Sequence, residues 1–200
     1  LAPRMQTLLR YTANGSKDRN DMQIFPSMLT GPLGGDPFDD EGFRIVCMLE
    51  LAEGSGEVTL TTNDPTVQPF IDCRYLEHPR DRERLRDAVR ISLEIMDHGS
   101  FADIVEQVLS PTQEDLVSEE TLDEWMKANV WIGQHLTSTC KMGPASDEMA
   151  VVDQFGQVHG IENLRIADAS IMPDCIRANT SLTCVMIGER IADWIANSNR

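Results

Sequence analysis

The sequence predicts an α+β chain, an antiparallel sheet with helices followed by a separate strand-helix segment, and three observations carry that expectation. RIVCMLELA, EVTLTTN and VQPFIDCRYL are rich in β-branched or aromatic residues and are separated by Gly54-Ser55-Gly56 and Asn63-Asp64-Pro65. Successive strands with short connections imply antiparallel pairing. Beyond Pro79, the residues Leu85, Val89, Leu93 and Met96 recur at four, four and three positions, one stripe of an amphipathic helix that should lie on the sheet. After Trp131 the texture changes to turns, then LRIADAS as a short strand, then a helix over about 182–196 with Ile187, Ile191 and Ile195 four residues apart.

The remaining elements follow in order. MQIFPSM from Met22 to Met28 reads as a strand, and the acidic, glycine- and proline-rich GPLGGDPFDDEG after it as a loop. Two further helical patterns run over 101–109 and 119–129; Ser118 is placed to cap the second, whose first turn carries acidic residues where the helix dipole favours them. No internal repeat and no low-complexity tract interrupts the chain. These patterns divide it into residues 1–134 and 135–200.

Composition narrows the function classes. With 200 residues, 41% of them hydrophobic, the chain is long enough to bury a substantial core. The 33 acidic residues against 17 basic ones give a net charge of -16, which repels a phosphate backbone or an anionic membrane surface. Nucleic acid and membrane are therefore not the expected partners. Five cysteines form an odd set with no C-x-x-C pair, so no disulfide framework and no metal site is expected, and reduced thiols imply a cytoplasmic protein. No apolar run reaches the length of a membrane span, and Leu1-Ala2-Pro3-Arg4 does not form a secretory signal. A start at Leu1 in place of methionine is expected from processing, from nicking or from a cut out of a longer protein.

Of the four histidines, His78 precedes a helix-opening proline, and His98 sits at a helix end, where an imidazole commonly meets free carbonyls. His135 stands before the polar, small-residue turn LTSTCKMGP, and no periodic apolar pattern accounts for it. It is the best candidate for a base. Asn179, Thr180 and Ser181 precede the last apolar helical run. One reading makes them simple caps; the other makes the helix start a donor of amide groups to a ligand that is, or becomes, anionic. By spacing alone the capping reading comes first.

The segments HLTSTCKMG, VVD, VHG, NLRIADASIMP and NTSLTCVMIGERIADWI closely resemble the C-terminal signature of the glucose-methanol-choline oxidoreductase family. Upstream, DMQ, GEVTLTTNDP and PFIDCRYL followed by DRERLRDAVR resemble that family's substrate-domain landmarks in the same order. The resemblance implies an FAD-dependent enzyme that transfers a hydride from an alcohol to flavin, with 1–134 as substrate-binding domain and 135–200 completing an FAD-binding domain. It implies that His135 and Asn179 form the catalytic pair and that Asp168 hydrogen-bonds the ribityl chain of FAD. Ala169, Asn179, Thr180 and Ser181 are the other residues expected at the cofactor, whereas His159 of VHG is not catalytic.

This chain departs from many relatives at Asp174-Cys175-Ile176-Arg177-Ala178, so substrate-side contacts do not transfer. No G-x-G-x-x-G lies between a strand and a helix, so the resemblance implies an N-terminal FAD-binding half supplied by the same gene or by a companion chain. Two rivals stand beside the oxidoreductase: a hydroxynitrile lyase that keeps FAD, and a non-catalytic fragment or subunit. If the chain is incomplete, Ile187, Ile191, Trp194 and Ile195 are expected to form an exposed apolar stripe.

Overall fold

The computed structural model describes residues 7–27 and 42–198. All but Gly42 of the loop expected over GPLGGDPFDDEG lies outside them. The described chain forms two compact units, 1–56 with 73–133, and 57–72 with 134–200. Residues 57–72, read from the sequence with 1–134, fall in the second unit.

The first unit is built on a three-stranded antiparallel sheet of order β1-β2-β3: β1 (Leu9–Tyr11), β2 (Met22–Ser27) and β3 (Arg44–Leu49). Met22 pairs with Tyr11 on one side and Leu49 on the other. The short β1 gave no recognisable pattern in the sequence. Helix α1 (Pro79–Asp97) lies against β2 and β3 as expected, with proline in its first turn fixing a helical φ, but Val89 and Leu93 of the expected stripe pack with Leu76, Leu122 and Met126 instead of the sheet. Ala88 of α1 packs with Ala13, Met22 and Ile24, and Leu85, Ile91 and Cys47 flank the cluster. Burial of Met22 and Ile24 stabilises the unit by roughly 1.5–3 kcal/mol each. Helix α2 (Glu119–Asn129) is capped by Ser118, whose hydroxyl accepts from the Thr121 amide, and buries Leu122 and Met126 against Leu76 and Val89.

A buried ion network joins these elements and accounts for two of the sequence landmarks. Arg84 of α1 donates to Asp21 Oδ2 at 3.1 Å, to Asp81 Oδ1 at 2.7 Å, and to the Glu50 and Leu51 carbonyls. Asp21 also accepts from the Ala13 amide, and Asp81 from those of Glu53 and Gly54. Burial opposes the charge of Asp21, but hydrogen bonds from Ser16, Ala13 and Arg84 win and hold its carboxyl below the usual range. DMQ and DRERLR are thus the two ends of a cross-link, and their part in this unit is architectural.

The second unit holds the hairpin of β4 (Glu57–Thr59) and β5 (Phe70–Asp72) and helix α3 (Ser181–Ser198). Its core is Val152, Ile171, Met172, Ile187 and Ile191, with Trp194 half-buried beside them. Trp194 meets Phe155 edge-on at 5.1 Å, and the Arg190 guanidinium lies 5.0 Å from its ring centroid.

Five local expectations are corrected. The strands after Arg44 do not form one sheet, because β3 pairs back to β2, whereas β4 and β5 pair with each other. Leu51 at positive φ turns the chain away at the end of β3. Residues 101–109 form no α-helix: a 3-10 turn at Gly99–Phe101 is followed by irregular chain. Ile104, Val108 and Leu109 are 70%, 46% and 74% exposed, so no buried face supports so short a helix. LRIADAS is not a strand; Arg165 makes an isolated bridge to Gln157, and Asp168 caps a 3-10 turn at Ala169–Ile171. His98 Nδ1 accepts from the Ser100 amide, so it caps the start of the next turn and does not meet carbonyls at the end of α1. Ile187 and Ile191 are buried in their own unit, and the exposed apolar residues of α3 are Leu182, Val185, Met186 and Ile195.

None of the five cysteines is in a disulfide bond. No described helix is long and apolar enough to cross a membrane. Within the first unit, β3, α1, α2 and the 104–111 segment line an open cavity of about 740 Å³.

Candidate active site

The second unit brings His135 and Asn179 together across 44 residues: the Asn179 amide Nδ2 lies 2.8 Å from His135 Nε2 and donates to it. On the other edge of the imidazole, Nδ1 is 3.1 Å from Thr180 Oγ1. Both contacts follow from how two irregular segments are tied down. The turn after His135 runs beside the 3-10 turn that Asp168 caps, with the amides of Ser138, Cys140 and Met142 donating to the carbonyls of Ala169, Ser170 and Ile171. The chain then passes Met172, 3% exposed in the core, and enters α3 at Asn179-Thr180-Ser181.

Backbone conformation reinforces the placement of the histidine. Gln134 and Ser138 flank it at φ of 61° and 70°, the left-handed region that a residue with a Cβ rarely takes. Such conformations cost on the order of 1–3 kcal/mol and persist where the surrounding structure imposes them. His135 is half-buried and Asn179 exposed, so the edge they share is open to a small molecule.

The start of α3 differs from an ordinary cap. The Thr180 carbonyl accepts from the Cys184 amide, as a capping residue's carbonyl does, yet its hydroxyl faces the imidazole. The first turn of α3 carries no acidic residue, so nothing there opposes an anion at the helix amides. Asp168 is exposed, and its Oδ1 accepts from the Ser170 amide at 2.8 Å. Ala169 follows it in the turn and Ser181 opens α3. Exposed carboxylate, helix-start amides and exposed amide side chain are a donor and acceptor set that fits FAD, the cofactor implied by the sequence resemblance.

Other polar groups of the unit have structural partners. His159 Nε2 donates to the Gly143 carbonyl at 3.0 Å. Lys141 binds Asp147 at 2.8 Å, and that hydrogen bond holds the Asp147 carboxyl below its usual range. The sequence pattern offers His135 and Asn179 as candidates but not the link from Thr180 to the ring, since a threonine before a helix reads as a cap whatever its hydroxyl meets.

The profile of the family described as GMC oxidoreductase matches residues 52–188. The chain belongs to the GMC oxidoreductase family. An oxygen-dependent choline dehydrogenase of Escherichia coli is 40% identical over 162 residues, 81% of this chain and 29% of that protein. Its namesake in Cronobacter sakazakii is 39% identical, over 81% of this chain and 28% of that protein. The chain thus spans under a third of the length of the curated relatives it matches. Among solved structures, the fold is that of pyridoxine 4-oxidase from Mesorbium loti, at a TM-score of 0.79 and 22% identity over 97% of this chain and 38% of that one. A formate oxidase variant of Aspergillus oryzae, from work on FAD modification, aligns at a TM-score of 0.77 and 25% identity, over 91% of this chain and 32% of that one. The family match spans hairpin, helices and the Asn179 region but begins after DMQ, which leaves the β2 end of the buried ion network outside it.

Proposed function

We propose that this GMC chain is the C-terminal part of an FAD-dependent alcohol oxidase or dehydrogenase, with His135 as base and Asn179 as the group that orients the substrate oxygen. The observation that carries the reading is the 2.8 Å approach of Asn179 Nδ2 to His135 Nε2 on an open edge of the second unit. An alcohol oxygen entering there takes up the Asn179 N–H and places its own proton on the Nε2 lone pair. Loss of that proton raises electron density at the carbon and makes its hydride easier to remove. Imidazole is the side chain suited to accept such a proton under physiological conditions. Asn179 keeps the carbon in one orientation, which converts a rare encounter into a standing geometry.

FAD, when bound, supplies the hydride acceptor. Asp168, Ala169, Asn179, Thr180 and Ser181 are the residues proposed to hold it, with the amides of α3 suited to an edge that gains negative charge. The first unit is assigned to substrate binding, and a glycine-rich nucleotide-binding segment is the proposed partner of the second. The relatives' printed name supports an alcohol as substrate and makes choline the first compound to try.

The test is His135→Ala in the full-length enzyme, with stopped-flow reduction of bound flavin under anaerobic conditions. The rate should fall by about 100- to 10,000-fold, the range for loss of a general base. FAD content should be retained. An undiminished rate would leave His135 an ordinary loop histidine, and failure of any alcohol to bleach the flavin of the unmutated enzyme would favour the lyase.

A further inference from the structure

We propose that Thr180 is a positioning residue that holds His135 in the tautomer with its proton on Nδ1, so that Nε2 is the bare, proton-accepting nitrogen. The inference rests on the reading of His135 as the base and assigns the group that makes one ring nitrogen, and not the other, the basic one.

The argument begins at the opposite edge of the ring. The Asn179 side-chain nitrogen, 2.8 Å from Nε2, has only hydrogens to offer, so Nε2 must present a lone pair. A neutral imidazole that accepts at Nε2 carries its proton on Nδ1. That proton needs an acceptor, and Thr180 Oγ1 stands 3.1 Å away. The reverse tautomer would set two donors against each other at Nε2.

Thr180 is well placed to enforce this choice. It is 8% exposed, so a hydroxyl deprived of the imidazole would have little water to replace it. Its backbone is fixed by the bond from the Cys184 amide to its carbonyl, and α3 is anchored by Ile187 and Ile191 at 8% and 2% exposure. The hydroxyl therefore sits on a rigid mount. It also serves both ends of the proton transfer. Neutral and protonated rings each carry a proton on Nδ1, so Thr180 Oγ1 accepts throughout and the ring need not turn as Nε2 is loaded. A threonine whose hydroxyl merely capped α3 would leave the tautomer to the exposed Asn179 side chain and to solvent.

The experiment compares Thr180→Val, Thr180→Ser and His135→Ala with the unmutated full-length enzyme. Nitrogen NMR of histidine-labelled protein reports which ring nitrogen is protonated, and His135→Ala identifies the signals. The unmutated enzyme and Thr180→Ser should show Nδ1 protonated and Nε2 bare, whereas Thr180→Val should show a mixed population, since the exposed Asn179 side chain alone then opposes a proton on Nε2. Anaerobic flavin reduction should fall about tenfold in Thr180→Val, the effect of one lost neutral hydrogen bond, and recover in Thr180→Ser. Protonated Nε2 in the unmutated enzyme overturns the proposal, even if Thr180→Val does not fold. So does an unchanged tautomer in a folded Thr180→Val. An undiminished rate in His135→Ala instead overturns the reading of the base, which separates the two failures.

Discussion

Asn179 and His135 are a pair in which charge matters as much as position. Asn179→Asp would exchange a neutral donor for a carboxylate beside Nε2. An anion there favours the imidazolium form and raises the histidine's pKa. The base would then be free only at higher pH, so the acid limb of kcat/KM should move upward, and flavin reduction near neutrality should slow. Folding should be largely kept, since aspartate is as good a residue as asparagine at a helix start. The pH profile of anaerobic flavin reduction checks this; an acid limb that stays in place or moves down would show that the two side chains do not meet in the working enzyme. Glu50 shows the opposite environment in the first unit, where burial pushes its carboxyl up against the opposing influence of Arg10 and Gln23.

At the level of elements, the units are pinned at a few places where backbone and side chain have no room to adjust. Gly156 closes the turn after Asp153 at φ +72°, and a Cβ there would lie 2.6 Å from Ile191 Cδ1 and 2.7 Å from the Ile166 carbonyl oxygen. Gly160 has a similar φ of +76° but nothing within 4 Å of where a Cβ would stand. Gly160→Ala should therefore lose only the backbone preference, about 1 kcal/mol. Gly156→Ala adds the clash with α3 and should lose about 2–4 kcal/mol. Thermal unfolding of the two variants separates these contributions, and equal losses would show that α3 does not press on the turn. In the first unit, Arg84 joins α1 to Asp21 before β2 and to the carbonyls after β3. Arg84→Met strands two buried carboxylates and should destabilise the fold by about 3–5 kcal/mol in urea unfolding. A smaller loss would mean that water reaches them.

For the molecule as a whole, the proposed chemistry needs more than these 200 residues display. The sequence has no glycine-rich strand-helix turn of the kind that cradles a dinucleotide pyrophosphate. The purified chain alone should bind FAD poorly, and a polypeptide bearing that motif should restore binding when added. Leu182, Val185 and Met186 are 84%, 60% and 52% exposed along α3, and in the hairpin Leu60 and Phe70 are 77% and 59% exposed, so the separate chain should also self-associate. Titration with FAD, following flavin fluorescence and light scattering, reads both effects. A soluble monomer that binds FAD at micromolar concentration would make the 200 residues sufficient by themselves.

Much of this was legible before any coordinates. Ser118 as the cap of α2, the α1 stripe and the helix through Ile187 and Ile191 are local features, set by hydrogen bonds and periodicities within a few residues. The motifs around His135 and Asn179 singled both out as candidates, because those residue types at that spacing resemble a known family. What lay out of reach was long-range. EVTLTTN reads as a strand but does not say that β4 leaves β3 for β5; 101–109 has a helical pattern, but no neighbour buries its apolar side. LRIADAS has strand composition, yet the Asp168 carboxylate takes the Ser170 amide and turns the chain. The sequence by itself determined which residues could act as base, orienting group and helix start. Only the tertiary structure decided that the Thr180 hydroxyl spends itself on the imidazole and not on its own helix, because a side chain's partner is chosen by what the fold brings within 3.1 Å of it, here a ring 45 residues away.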